Sequence, residues 1–531
     1  MILFAHLPFI VFVLSLAAFG MVRINTVITY FQQEEYDSSR FLGAVMRVRL
    51  YDVLATLGLI VLLIANAFVG LGAYAWLIGA ALLGLIALRE QGYTYKKKLV
   101  ATERLHRIRW LARGFFLLSL GALIVHHLAV FLILQAVPLW IMLANRLLRP
   151  MQENINQGFI DQAIEKLQTY QPVTIGITGS FGKTTTKHIL AEILESAGPV
   201  FYSPGSINTV LGLTRNIREK LQRGHKYFIA EMGAYGIGSI KRLCDFSDPE
   251  FAIVTAIGDA HTERFGSIAN IAIAKSELVE HVTARGGQAV VPLEILEHAP
   301  FKTLKDKYPD LVKTVGFSAD ADFRISKAEL EDSNWSIELQ DMSAPDTPAI
   351  HYTLPLLGDH NILNSALSVA LTYLVSPGTA GRIAAFSKDV EQVQHRLQKV
   401  DNPGQPLILD DAYNSNETGF KNAVSVMNTL AAQRGGRAIL VTPGVAELGL
   451  EHDRVHNRLG QHASELCDIV IAINPSRIET FTASINQDKV TLHTRPSFAD
   501  ARLLISEIAN EKDVVLYEND LPDILEETRL L

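Results

Sequence analysis

The run PVTIGITGSFGKTTTKHILAEILESAG, residues 172–198, decides how the rest of the chain is read. Val173–Ile177 is a short β-branched run, and Lys183–Ala197 has helical apolar spacing with Gly198 as its stop. Between them stand Gly179, Ser180, Phe181, Gly182, Lys183, Thr184 and Thr185. Strand, glycine loop and helix in that order make a cradle for phosphate. The glycines let backbone N–H groups close on the oxygens, and the helix N-terminus adds positive potential. Lys183 then faces the β/γ oxygens of ATP and Thr184 faces Mg²⁺. The general G-x-x-x-x-G-K-[ST] pattern is not met strictly, because Ile177 takes the place of its first glycine. The expectation is nucleotide binding.

Before this loop the chain has a different character. Residues 1–22 carry no charge, which is enough for one helical crossing of a bilayer. No basic residue precedes the run and no small-x-small site ends it, so an anchor is favoured over a cleaved signal. Two further uncharged stretches, Val53–Leu88 and Gly114–Asn145, are each too long for one span and short for two. Basic residues lie between and after them. If each stretch is a tight hairpin, turning at Gly70 and Gly72 and at His126 and His127, every basic connection falls on one side. That favours five crossings over three. Residues 24–50 read as an amphipathic interfacial helix, and residues 150–171 as a helical linker.

Composition agrees with this division. The 531 residues are 49% hydrophobic and 19% charged. Residues 1–150 hold 14 Lys/Arg against 6 Asp/Glu, a balance of +8, and the remainder holds 34 against 49, a balance of -15. A basic apolar front and an acidic remainder suit a membrane partner and argue against nucleic acid. The two cysteines, Cys244 and Cys467, exclude a disulfide scaffold and a four-cysteine zinc site.

TGSFGKTTTK resembles the ATP loop of the Mur ligase family, within it most closely the branch that adds D-alanyl-D-alanine to UDP-N-acetylmuramoyl-tripeptide. Further matches come in the family's order: SINTVLGL from Ser206, FIAEMGA from Phe228, AHTERFGS from Ala260, AIAKSEL from Ala272, GDHNILNSAL from Gly358, HRL from His395, DDAYNSN from Asp410 and AELG from Ala446. The resemblance spans about residues 150–531. With the α-helical membrane domain at 1–149 read from the apolar stretches, it implies α/β domains after it. A P-loop central ATPase domain would cover 172–395, with a small β insertion at about 295–355, and a C-terminal Rossmann-like domain 396–531.

The resemblance also implies roles. Glu231 shares Mg²⁺ with Thr184, and His261 and Lys275 serve a second Mg²⁺, Lys275 as a carbamate. Asn208 lies near the γ-phosphate and acyl group. Asn364, Arg396, Asp411 and Asn414 contact the nucleotide from the adenine side and the C-terminal domain. Glu231 ends the apolar run Tyr227–Ala230, as a buried strand would place it; taken locally, it is a loop carboxylate, His261 a loop or capping histidine, Lys275 a surface lysine and Asn364 a cap. The implied reaction activates a muropeptide carboxylate with ATP as an acyl phosphate, which the amine of an amino acid or dipeptide attacks.

Two departures bear on substrates. The family's usual UDP-binding domain has no counterpart ahead of the loop, where the membrane region stands, so the acceptor is read as lipid-linked or as UDP-linked with relaxed recognition. Near the end, Tyr517-Glu518-Asn519-Asp520-Leu521-Pro522, read as an acidic loop, replaces a basic Lys-Gly-Ser-Arg element, which leaves the amine open. The expected location is the cytoplasmic membrane, multi-pass, with the catalytic domains facing the cytoplasm. The rivals are a ligase acting on another polymer or cofactor and a non-ligase membrane ATPase or sensor.

Overall fold

The computed structural model describes residues 6–47, 52–93, 99–258, 265–331, 334–413, 415–446 and 448–519. Residues up to 156 belong to one compact unit, and residues 157–520 form the other.

The first unit is helical. Leu7–Gln33, Ala73–Gln91 and Glu103–Val125 are long and apolar enough to cross a membrane. Ala129–Gln135 and Val137–Tyr170, bent by 56° at their junction, make a fourth candidate. Leu54–Val69 is a shorter apolar helix of 16 residues. The first hairpin turns where the sequence suggested, with Gly70 and Gly72 at φ 71° and 56°. The second breaks at His126, whose Nδ1 accepts from the Leu128 N–H at 3.2 Å. His127 packs its ring edge-on against Phe9 and Trp76, so the histidine pair builds a turn. The outside of the unit is apolar, with Phe68 and Val125 each 87% exposed.

Residues 24–50 are not one interfacial helix. Residues 24–33 continue the first helix, and only Ser38–Arg47 forms a separate short one. The reason is Arg23. It is 2% exposed, donates to Asp52 Oδ2 at 2.8 Å and lies 3.5 Å from Glu90 Oε2. A charge that looked like the end of a span is instead neutralised inside the bundle. Likewise residues 150–170 are the later part of Val137–Tyr170, which runs through Pro150 despite the hydrogen bond that proline removes.

The second unit holds two sheets. The first contains β1 (Val173–Thr178), β2 (Val200–Tyr202), β3 (Tyr227–Glu231), β4 (Phe251–Val254), β5 (Gln288–Pro292), β6 (Val312–Gly316), β7 (Phe323–Glu331), β8 (Asn334–Asp341) and β9 (Ile350–Leu354), in the order β2-β3-β1-β4-β5-β6-β7-β8-β9. Strands β2 to β7 pair in parallel, and β7-β8-β9 is an antiparallel meander. The strands within residues 295–355, β6 to β9, therefore extend the same sheet.

The second sheet contains β10 (Gln398–Val400), β11 (Leu407–Asp411), β12 (Ala438–Thr442), β13 (Ile469–Ile473), β14 (Thr491–Arg495) and β15 (Val514–Glu518), ordered β10-β11-β15-β12-β13-β14 and parallel except at β10. Strands β1, β3, β12 and β13 are almost wholly buried, as continuous β-branched and apolar runs in a parallel sheet should be. Ligands of such sheets gather beyond the carboxyl ends of the strands.

Candidate active site

The segment 255–258, just past the end of β4, holds the loop after β1 in place. Ser180 N–H donates to Ala256 O at 2.8 Å, Ser180 Oγ donates to Gly258 O at 3.1 Å, and the Thr255 hydroxyl donates to Phe181 O. Gly179 stands at φ 153°, and a Cβ there would lie 1.9 Å from Thr255 Oγ1. No side chain fits. Gly182 at φ 80° caps the helix Lys183–Leu194 and backs onto Asn364.

Lys183 folds over its own loop, donating to Gly179 O at 2.7 Å, and burial holds its ammonium below the usual lysine range. Lys275 comes from the helix Ile268–Ala284 and donates to the same carbonyl at 2.9 Å. It is 3% exposed, so it is no surface lysine. Burial, with Lys183 nearby, pushes its pKa far down.

Glu231 ends β3 with its carboxylate inward, 1% exposed. Thr184 Oγ1 lies 3.1 Å from both of its oxygens, and Lys187 Nζ lies 3.0 Å from Oε2. Asn208 Nδ2 is 3.5 Å from Oε1, and Ser206 Oγ is 3.2 Å from Thr184 Oγ1. Thr184, Ser206, Asn208, Glu231 and Lys275 open into the same cleft as the loop. The donors around Thr184 are a carboxylate and hydroxyls, the hard oxygen chemistry that Mg²⁺ selects, so the residues fit that ion.

The opposite wall comes from the second sheet: Arg396, stacked over Tyr413 at 4.3 Å, with Ser415 and Glu417. Glu417 is held near pKa 2 by hydrogen bonds from Arg458 and Lys421.

Ser180 to Thr185, Asn208, Glu231, Lys275 and Arg396 thus converge. Asn364 and Asp411 do not line the cleft. Asn364 lies within the helix His360–Val375, past its cap, donating to Asn361 Oδ1 at 3.0 Å. Asp411 Oδ1 accepts from Leu397 N–H at 3.0 Å. His261 and Asn414 lie outside the described residues.

Glu518 belongs to no exposed acidic loop. It is fully buried beside Asp411, and Ser415 Oγ donates to its Oε1. Burial pushes Asp411 up to about 6, against the pull of Arg396, and raises Glu518 further, with Asp411's charge adding to the effect. The folded state favours the protonated pair. Its contribution to stability is therefore present in acid and lost as pH rises through about 6. Glu518→Gln is expected to stabilise the protein at pH 7.5 by on the order of 1 kcal/mol and to flatten the melting temperature between pH 5 and 7.5. An unchanged pH profile in thermal melts would count against this.

Sequence reasoning passed over Lys187. It sits four residues after Lys183, hence on the same helix face, and that spacing was the available signal. It has 0% exposure. Lys187→Met leaves Glu231 buried without its cation and should destabilise by about 3 kcal/mol, read by denaturant unfolding of the full chain. The double replacement with Glu231→Gln should recover part of that loss.

Comparison with known proteins finds chains similar to this one. A model of the Mur ligase middle domain matches residues 177–372, and one of the Mur ligase, glutamate ligase domain matches residues 395–517. UDP-N-acetylmuramoyl-tripeptide–D-alanyl-D-alanine ligase of Escherichia coli is 30% identical over 341 residues, covering 63% of this chain and 71% of that protein. The enzyme of the same name from Mycobacterium tuberculosis is 29% identical, covering 55% and 56%. Among solved structures, MurF from Acinetobacter baumannii aligns with a TM-score of 0.58 at 24% identity, covering 68% of this chain and 77% of that one. MurF ligase from Thermotoga maritima, solved in complex with ADP, aligns with a TM-score of 0.58 at 23% identity, covering 69% and 80%.

Proposed function

The chain belongs to the Mur ligase family, and on that premise we propose that it is a membrane-anchored ligase of cell-wall precursor synthesis, joining an amino acid or dipeptide to a muropeptide carboxylate. It is an ATP-dependent, ADP-forming ligase. The observation that carries the reading is the convergence of the phosphate loop, Glu231, Lys275 and Arg396 on one cleft between two sheets.

Such a cleft answers a problem of charge. A triphosphate and a carboxylate repel each other, so in-line transfer needs both neutralised. The loop N–H groups and Lys183 take the β/γ oxygens, with Lys183 exchanging the Gly179 carbonyl for phosphate. Thr184 and Glu231 would hold Mg²⁺, which when bound supplies further charge neutralisation. Arg396 reaches the phosphates from the second sheet, so chemistry waits on the two walls closing together. The acceptor carboxylate attacks the γ-phosphorus and ADP leaves, giving an acyl phosphate. The amine then attacks the acyl carbon and phosphate departs, its proton going to solvent or base. The balance is one amide, one ADP and one phosphate.

Lys275 needs a separate account. A carbamate forms only on a neutral amine, and burial beside Lys183 shifts Lys275 toward that neutral form. We assign it that modification, with His261 as a further ligand of a second Mg²⁺. The apolar exterior of the helical unit supports anchoring, because such a surface is stable in lipid and a liability in water. The acceptor we favour is lipid-linked.

The deciding experiment incubates the full-length protein in detergent with ATP and Mg²⁺. Lipid-linked or UDP-linked muropeptide is supplied with D-alanyl-D-alanine or single amino acids, and products are read by mass spectrometry. ADP release that requires both acceptor and amine is expected. Turnover indifferent to both would overturn ligation, and full activity on the UDP-linked form with none on the lipid-linked form would overturn the lipid assignment.

A further inference from the structure

The helical unit has a cleft of its own. Its cavity of about 840 Å³ is bounded by the turn after the first helix, the start of Glu103–Ser119 and the middle of Val137–Tyr170. These are the levels at which uncharged helix gives way to charged residues. The turn itself is forced: Glu35 and Tyr36 both take positive φ, 56° and 62°, a conformation that side chains other than glycine's resist. The turn brings the Tyr36 ring under the Arg104 guanidinium at 4.2 Å. Asn145 completes the arrangement, accepting from Arg104 at 3.1 Å and donating to Tyr36 O at 3.2 Å. Arg104 is thus oriented by a ring and a neutral amide.

The charge balance of this cleft is informative. Its acids are already engaged: Glu35 pairs with Arg40, Asp37 accepts from the Ser39 and Arg40 N–H groups at the start of the next helix, and Glu153 pairs with Arg149. Its other arginines are not. Among the described residues Arg104 meets no carboxylate, and neither does Arg146, exposed one position after Asn145. The same holds along the helix, where Arg107 rests on Gln152 and Arg113 on Asn25. Guanidiniums held by neutral acceptors keep their charge and their remaining donors for an anion, and their planar fork suits phosphate oxygens. Met142 and Leu143 give the cavity an apolar wall.

We infer that this cleft binds a phosphate or diphosphate group, and that the group is the headgroup of a lipid whose chain lies along the apolar wall. The lipid part rests on the membrane reading above; the phosphate part does not. Arg104 and Arg146 grip the anion, and Tyr36 and Asn145 hold Arg104 in place.

The test is native mass spectrometry of the full-length protein in detergent, offered dioleoylphosphatidic acid or dioleoylphosphatidylcholine, with inorganic pyrophosphate as the soluble probe. Phosphatidic acid should be retained about tenfold better than phosphatidylcholine, and Arg104→Gln with Arg146→Gln should remove most of that preference. Arg146→Gln alone, at an exposed position, should lower it severalfold and guards against a folding artefact. Retention that millimolar pyrophosphate does not displace assigns the lipid as the source. Displacement with the same arginine dependence assigns a free diphosphate and overturns only the lipid part. Equal retention of the two lipids, together with no pyrophosphate binding, or retention indifferent to both replacements, overturns the site. ATP binding measured on the same samples separates these outcomes from a failure of the ligase reading.

Discussion

Replacing Lys183 by alanine is expected to lower ATP-dependent product formation about a thousandfold. The amine lies over Gly179 O at 2.7 Å, one short movement from where the terminal phosphates would rest. It is a cation in a buried cleft, and there charge neutralisation is worth far more than in water. The fold should survive, because Lys183 makes its contacts to its own loop. Turnover and nucleotide affinity measured under saturating Mg²⁺ check this. A variant that turns over near the wild-type rate would remove the loop from the mechanism.

Lys275→Met should lower turnover about a hundredfold or more, while keeping the volume of the buried chain. The expected cause is loss of an amine that burial biases toward its neutral form and that becomes anionic when carboxylated. Two readouts separate this from simple packing. Wild-type activity should fall in carbon-dioxide-depleted buffer and return with bicarbonate, and the variant should respond to neither. Labelled bicarbonate should give a carbamate carbonyl resonance in the wild type alone. The pH dependence comes from the direction of the shift. Acid protonates the amine and empties the carbamate, so activity declines as pH falls. A wild type indifferent to carbon dioxide would leave Lys275 as the loop's hydrogen-bond donor only.

The sequence made the phosphate cradle legible because glycine, lysine and threonine there are required by local geometry. Gly179 faces Thr255 at a distance no side chain tolerates, and residues bound so tightly leave a readable pattern. Glu231 was legible as the end of an apolar strand. Lys187 was not, since a lysine on a helix ordinarily faces water and only the tertiary fold places it against Glu231. Glu518 misled in the opposite way. A cluster of polar letters after a strand reads as surface, yet the last residue of a central strand can point inward. Arg23 shows the same limit among the apolar helices, where counting uncharged residues ended the first helix eleven positions before its end at Gln33.

That arginine also constrains the order in which the chain can be made. Its partners, Asp52 and Glu90, are synthesised 29 and 67 residues later. Until both have left the ribosome, the leading helix carries a naked guanidinium into whatever surrounds it. Final seating of the first helix must therefore wait for the helix that delivers Glu90. A nascent chain halted before that point is expected to be the one that quality-control proteases remove.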